Sequence, residues 1–351
     1  MSVLLSSHST DFLKRLESSG PLELVESVTP WLSVPADEVD QQLDGARRQN
    51  LIHAIRELNR RCALGDSDAF YAQQLLLARI YALITQLPNA LTAEGSVAIH
   101  QVTRELERAL IEHENQQVDP AFVAAAPAQP KEFVSWLRTY ARQQPAYKHP
   151  YYVDFICNDA TEADLRAYVI QESVVDGRFD DLLAMMQVGT QGNPKLEIAS
   201  NYWDEMGNGD PEQVHTHLFN KIFEVFNITE GDLADALTAE ALLSGNLAVL
   251  LCRYRRFYPE AVGFLGMTEW FAPDRFVHVV KAWERLGLPE VGIVYHRLHI
   301  TIDAQHAAGW FHRVVGPAAE SDFMRAGITR GVLWRLNSSA RYLDERLARV
   351  R

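Results

Sequence analysis

Apolar residues recur at three- and four-residue spacing along most of this 351-residue chain, and strand-like alternation is scarce. The pattern predicts helices over 44–64 and 66–86, an αα-hairpin whose second helix is capped by Asp66 or Ser67. An amphipathic helix follows at 92–115, with Glu105 and Arg108 placed to pair on its surface. The composition then shifts. Residues 117–131 (QVDPAFVAAAPAQPK) are rich in Pro and Ala and poor in charge, and read as a linker. Beyond it the periodicity predicts helices over 131–144, 161–188, 194–207, 211–227, 232–256, 258–285, 287–315 and 318–349, joined by short connections. That is an all-α helical bundle. No repeat of fixed length is visible, which argues against a solenoid. The expected organisation is an N-terminal helical interaction or dimerisation domain over 1–116, the linker, and a bundle over 132–351. The alternative is that the N-terminal helices pack onto the bundle as further layers.

Composition narrows the class. Hydrophobic residues make up 47% and charged residues 23% of the chain, enough apolar material for a sizeable core. A formal net charge of −13 argues against nucleic acid or an anionic membrane surface as the main partner. Cys62, Cys157 and Cys252 lie far apart and form no C-x-x-C, so a reducing cytoplasm is the expected compartment. The first residues lack the basic and apolar regions of a signal peptide, and the longest apolar run, near 247–252, is too short to span a bilayer.

The chemistry concentrates late in the chain. The helix over 287–315 is predicted because Leu288, Val291, Val294, Tyr295, Leu298 and Ile302 recur at helical spacing. His299, Asp303 and His306 follow at i, i+4 and i+7, which puts all three within a stripe about 60° wide. Two imidazoles and a carboxylate on one stripe can hold a transition metal. Glu172, Glu205, His215 and Glu269, from other predicted helices, would complete a two-iron carboxylate site. Glu172 lies between Tyr168 and Val175 on a buried stripe, or else is rotated to a solvated edge. Gly207, Gly209 and Pro211 break the helix between Glu205 and His215, so that both can point at one spot, with Asp210 capping the next helix. Glu212 and His217 are rivals that read as exposed helix-surface residues. Glu269 is flanked by Phe264, Trp270 and Phe271; it needs a metal, a raised pKa, or an arginine such as Arg275, Arg253, Arg255 or Arg256. His296 reads as structural or as a support to a ligand.

These residues, in this order, resemble the heme-oxygenase-like diiron oxygenase/oxidase superfamily. Its pattern is a Glu, then Glu…His, then Glu, then H-x3-D-x2-H. The resemblance covers about 150–320 and matches Glu172, Glu205, His215, Glu269, His299, Asp303 and His306. It implies a seven-helix bundle related to heme oxygenase, carrying an extra N-terminal helical domain and binding two irons but no heme. It also implies O2 as cosubstrate, a peroxo-diferric oxidant and a possible external electron donor. Its members oxygenate amines to hydroxylamine or nitro groups, desaturate, or cleave C–C bonds of amino or fatty acids. The nine-residue gap between Glu205 and His215, together with the N-terminal helices, is most similar to the N-oxygenases of natural-product pathways, which dimerise through such helices. The expected substrate is a small amine or amino acid, and the expected assembly a homodimer. Within that reading Glu205 bridges the irons; Glu172, His215 and His306 serve one, and Glu269, His299 and Asp303 the other. Trp203, Phe264 and Trp270 would exclude water, and Arg297, Arg253 or Arg256 would hold a substrate carboxylate. Heme binding would need a proximal histidine, for which only His149 in its Pro-flanked loop is placed. A helical interaction protein with structural histidines remains the non-enzymatic alternative.

Overall fold

The computed structural model describes residues 20–351, and among them there is no strand. The chain divides into two units at residue 116, with the second running from Gln117 to Arg351.

The first unit is built from α1 (Pro21–Val28), α2 (Ala36–Gln42), α3 (Gly45–Ala63), α4 (Ser67–Thr85) and α5 (Val97–Asn115). Asp66 caps α4, its carboxylate accepting from the amides of Asp68 and Ala69. Asp40 does the same from a distance: it accepts from Ser96 Oγ and from the Val97 and Ala98 amides, so α2 secures the start of α5. Leu51, Ile55, Leu76, Leu77, Val102 and Leu106 form the core between these helices.

The second unit contains α6 (Pro120–Ala124), α7 (Pro130–Arg142), a π-helical segment at Tyr151–Asp159, α8 (Glu162–Glu172), α9 (Phe179–Gln187), α10 (Gly192–Glu205), α11 (His215–Phe226), α12 (Glu230–Ala236), α13 (Ala239–Arg253), α14 (Tyr258–Leu286), α15 (Val294–Trp310) and α16 (Asp322–Val350). Residues 117–131 do not behave as a free linker. Phe122 stacks on Trp136 at 4.3 Å and meets Tyr140 at 4.1 Å, which anchors this stretch to α7.

The long helices α14 and α16 form the spine, and α15 packs on α14. Glycine sets the first contact. A Cβ on Gly263 would lie 2.1 Å from the carbonyl oxygen of Ile328, and one on Gly331 would lie 1.9 Å from that of Glu260. The two backbones therefore touch, and any side chain at either position would force them apart. α13 is buried continuously from Ala241 to Cys252, as expected of a helix apolar on all sides. No single helix among the described residues is long and apolar enough to cross a membrane.

The helix expected over 161–188 is interrupted. α8 stops at Glu172, and the chain turns through Ser173–Val175 before a short 3-10 turn at Asp176–Arg178. Val174 fills the space in front of Gly245 of α13, whose Cβ position lies only 2.9 Å from it. This break changes which acidic residue faces inward.

Candidate metal centre

Glu205 is the last residue of α10 and His215 the first of α11. Between them Gly207, Asn208 and Gly209 all adopt left-handed backbone, with φ of 60°, 53° and 91°. A Cβ on Gly207 would sit 2.5 Å from the carbonyl carbon of Gln213, so the reversal requires glycine there. It brings His215 Nδ1 to 2.9 Å from Glu205 Oε2. From α15, His299 Nε2 stands 3.9 Å from Glu205 Oε1, and the His215 and His299 rings lie 4.5 Å apart. Glu205, His215 and His299 form a buried triad whose donor atoms all fall within 4.8 Å of one another.

A second triad joins Glu269 of α14 to Asp303 and His306 of α15. His306 Nδ1 is 3.5 Å from Glu269 Oε2 and 3.8 Å from Asp303 Oδ1. Pro273, inside α14, has no N–H to donate to the Glu269 carbonyl four residues back, so the helix is opened at this ligand position. Both triads are buried, yet each is ringed by polar partners that aim it. His299 Nδ1 lies 2.7 Å from the Tyr295 carbonyl, which makes it the donor and leaves Nε2 as a free acceptor. His306 Nε2 lies 3.1 Å from Asp204 Oδ2, which turns Nδ1 inward. Asn201 Nδ2 donates to Glu269 Oε1 at 2.7 Å, turning Oε2 toward His306. Replacing Asp204 with Asn should weaken metal binding at the second triad by about 10–100-fold, the usual cost of losing such a support. Competitive Fe(II) titration of the variant checks this, and the first triad should hold its metal as before.

The electrostatics are those of a cation site. Burial raises the carboxyl of Asp303 well above its ordinary range, and the charges of Glu269, Glu205 and Asp176 raise it further. Burial pushes Glu205 up as well, but hydrogen bonds and charge from His215 and His299 outweigh this and hold it at about 2. Burial pulls His306 down, and Glu269 and Asp204 overcome that to raise it to about 9. Asp303 is influenced by carboxylates of both triads, so the two share one field. His215 Nδ1 and His306 Nδ1 are enclosed and face the carboxylates of their own triads, Glu205 and Glu269. Inward-facing nitrogens, crowded carboxylates and burial throughout are what bound metal ions would satisfy.

The triads regroup the expected ligands: His299 joins Glu205 and His215, while Asp303 and His306 join Glu269. The stripe on α15 is long as well as narrow, and its two ends reach different neighbours. Glu172 belongs to neither triad; its Oε1 accepts from Tyr342 at 2.6 Å. The carboxylate missed from sequence is Asp176. Its Oδ2 is enclosed without a partner. Its pKa is raised well above the usual range by burial and by Glu172, with Glu205 adding to the effect and Arg335 opposing it. Helix-stop residues Asp176-Gly177-Arg178 within an apolar run were the available signal.

Other expectations also shift. Arg297 is half-buried and ion-paired with the exposed Glu284 and Glu290. Arg253 stacks on Tyr254, and Arg256 on Tyr254 and Phe257. None of the three is a carboxylate clamp over the triads; the buried arginines acting on Glu172 and Asp176 are Arg335 and Arg275. Arg275 donates to Ser339 and Ala146, leaving Glu269 to Asn201 and His306. Trp203 is 53% exposed and covers Gly209, so it does not shield the centre. Tyr295 and Phe276 line the His299 ring instead, at 4.1 and 6.0 Å. His296 is fully buried, lowered to about 3 by burial and by His299, and reaches Tyr168 OH at 3.4 Å. His149 accepts from the Tyr151 amide and meets Asp344, at the start of the π-helical segment. Glu212 and His217 form a loose exposed pair at 3.7 Å.

Residues 166–340 match the model of a family described as iron-containing redox enzyme. No curated protein matches the chain.

Proposed function

Over residues 166–340 the chain belongs to the iron-containing redox enzyme family, and from that premise we propose that it is a non-heme, O2-dependent diiron oxygenase. The pair of adjoining buried triads carries this reading: one set of two histidines and a carboxylate, one of two carboxylates and a histidine. Two irons held there would supply two electrons to O2, one from each ferrous ion. The histidine-rich triad favours the ferrous state, and the carboxylate-rich triad favours the ferric.

The chain's own groups do the rest. Asp204 and the Tyr295 carbonyl fix which nitrogen of His306 and His299 faces inward. Asp176, whose Oδ2 is enclosed without a partner, is the carboxylate open to join the first triad, and Arg335 tempers its charge. Tyr295, Phe276 and His296 form a wall that keeps water from the histidine side. The substrate we favour is a small amine or amino acid, N-oxygenated to a hydroxylamine or nitro product in natural-product biosynthesis, with electrons from an external donor. The resemblance of the Glu205–His215 spacing to the N-oxygenase branch supports this. Desaturation or oxidative C–C cleavage at the same centre is the alternative. The helices of residues 20–116 are assigned to homodimerisation.

Anaerobic Fe(II) titration tests the centre. Two irons per chain are expected, followed on mixing with O2 by a transient visible absorption band. Amines that are substrates should speed the decay of that band. Failure to bind iron stoichiometrically would leave a helical interaction protein as the better account.

A further inference from the structure

On α7, Arg138 and Arg142 lie one helical turn apart and share the Trp270 ring, with guanidinium carbons 5.1 and 5.3 Å from its centroid. Arg138 also lies 5.3 Å from the centre of Phe311. Two guanidiniums on one indole repel each other, and such a pair normally recruits a carboxylate. Here none of the described residues provides one: neither arginine is ion-paired, and Arg138 Nε is enclosed with no acceptor. Burial and the Arg142 charge together pull Arg138 below the ordinary arginine range.

Both arginines line a cleft of about 700 Å³ that also presents Lys131, His312, Val134 and Phe311, with Glu320 as its one acidic residue. In a chain of net charge −13, this is a concentrated pocket of positive charge. Its volume suits a small molecule. It is also separate from the metal centre. Ala308, which lines the cleft, is two residues past His306 and so faces about 200° away around α15.

We propose that this cleft binds a small organic anion. A carboxylate or phosphate head would lie between Arg138 and Arg142, where it satisfies the open Nε and cancels their repulsion. An apolar or aromatic body would rest on Val134, Phe311 and Pro317. Trp270 holds both guanidiniums in place beforehand, which lowers the ordering cost of binding.

Calorimetric titration of the full metal-free chain tests the site with four probes: 2-naphthoate, phenyl phosphate, uncharged 2-naphthamide and a glutamate-rich peptide. At least one small anion should saturate a single site, and the amide should bind tenfold or more weakly. Arg138→Met with Arg142→Met should reduce anion affinity at least tenfold, while Asp303→Asn leaves it unchanged. Should the double variant fail to fold by circular dichroism, Arg142→Gln carries the same test. The proposal is overturned if neither anion saturates, if the amide binds equally well, or if folded arginine variants keep full affinity. Arginine-dependent binding of the peptide alone would also overturn it and assign the cleft to an acidic protein partner.

Discussion

Asp303→Asn should reduce bound iron from about two per chain to about one, while leaving the metal-free protein at least as stable as the parent. The carboxylate is 4% exposed and stands among Glu269, Glu205 and Asp176. Its pKa is raised on folding, so above the unfolded carboxylate value the folded chain must either take up a proton or carry a crowded buried charge. Stability is therefore lost as pH rises, and asparagine removes the cause without changing the side chain's size. The same exchange removes an anionic ligand from the second triad. Losing a supporting group costs about 10–100-fold in such sites, and losing the ligand itself should exceed that in O2-dependent turnover. The thermal signature thus reverses with metal. Without iron the variant melts at or above the parent; with iron at a hundredfold excess over Kd, the parent gains about 2.7 kcal/mol per site that the variant lacks at one site. Melting curves with and without Fe(II), alongside iron analysis, decide it. A variant that melts lower without metal and keeps both irons would make Asp303 a structural residue.

The second large effect is in pH. His306 rises from 6.5 to about 9 on folding of the metal-free chain. A raised histidine contributes stability that is complete below the unfolded value and disappears as pH climbs through the folded one. A shift of roughly 2.5 units corresponds to about 3 kcal/mol. In a unit of this size that is roughly 6–12 °C of melting temperature, lost between about pH 6.5 and 9. Asp303 acts in the same direction. Metal reverses the sign, because binding requires His306 without its inward proton, so stabilisation by iron should grow with pH over the same window. His306→Asn should flatten the metal-free curve. A parent whose metal-free melting temperature is constant from pH 6.5 to 9 would mean that His306 is not held between Glu269 and Asp204 as described.

Much of this centre was readable in the chain because it depends on local geometry. Helical periodicity places His299, Asp303 and His306 on one stripe whatever surrounds them, since about 100° per residue is a property of the backbone. The Gly207–Pro211 break between Glu205 and His215 is equally local: glycine at positive φ, followed by proline, ends one helix and starts the next. The Asp66 cap is of the same kind. Against these stand residues whose roles depend on what packs opposite them. The pattern from Leu165 to Leu183 fits one continuous helix, yet the chain turns at Val174, which packs against Gly245 on α13, and beyond the turn Glu172 meets Tyr342 while Asp176 Oδ2 is enclosed.

The arginines divide similarly. Arg253, Arg256 and Arg297 have the right chemistry to clamp a carboxylate, yet aromatic neighbours and surface glutamates engage them, while Arg335 and Arg275 from distant segments occupy the interior. By itself, then, the sequence determined most of the helices, the Asp66 cap and six of the side chains found in the two triads, because these follow from backbone periodicity and donor chemistry. Tertiary packing alone decided that six of those ligands meet as two triads, that His299 sits with His215 and not with Asp303, and that Arg138 and Arg142 share one indole without a counter-charge. Such pairings depend on which helix faces which, and at the α14–α16 contact that was set by glycines at which two backbones touch.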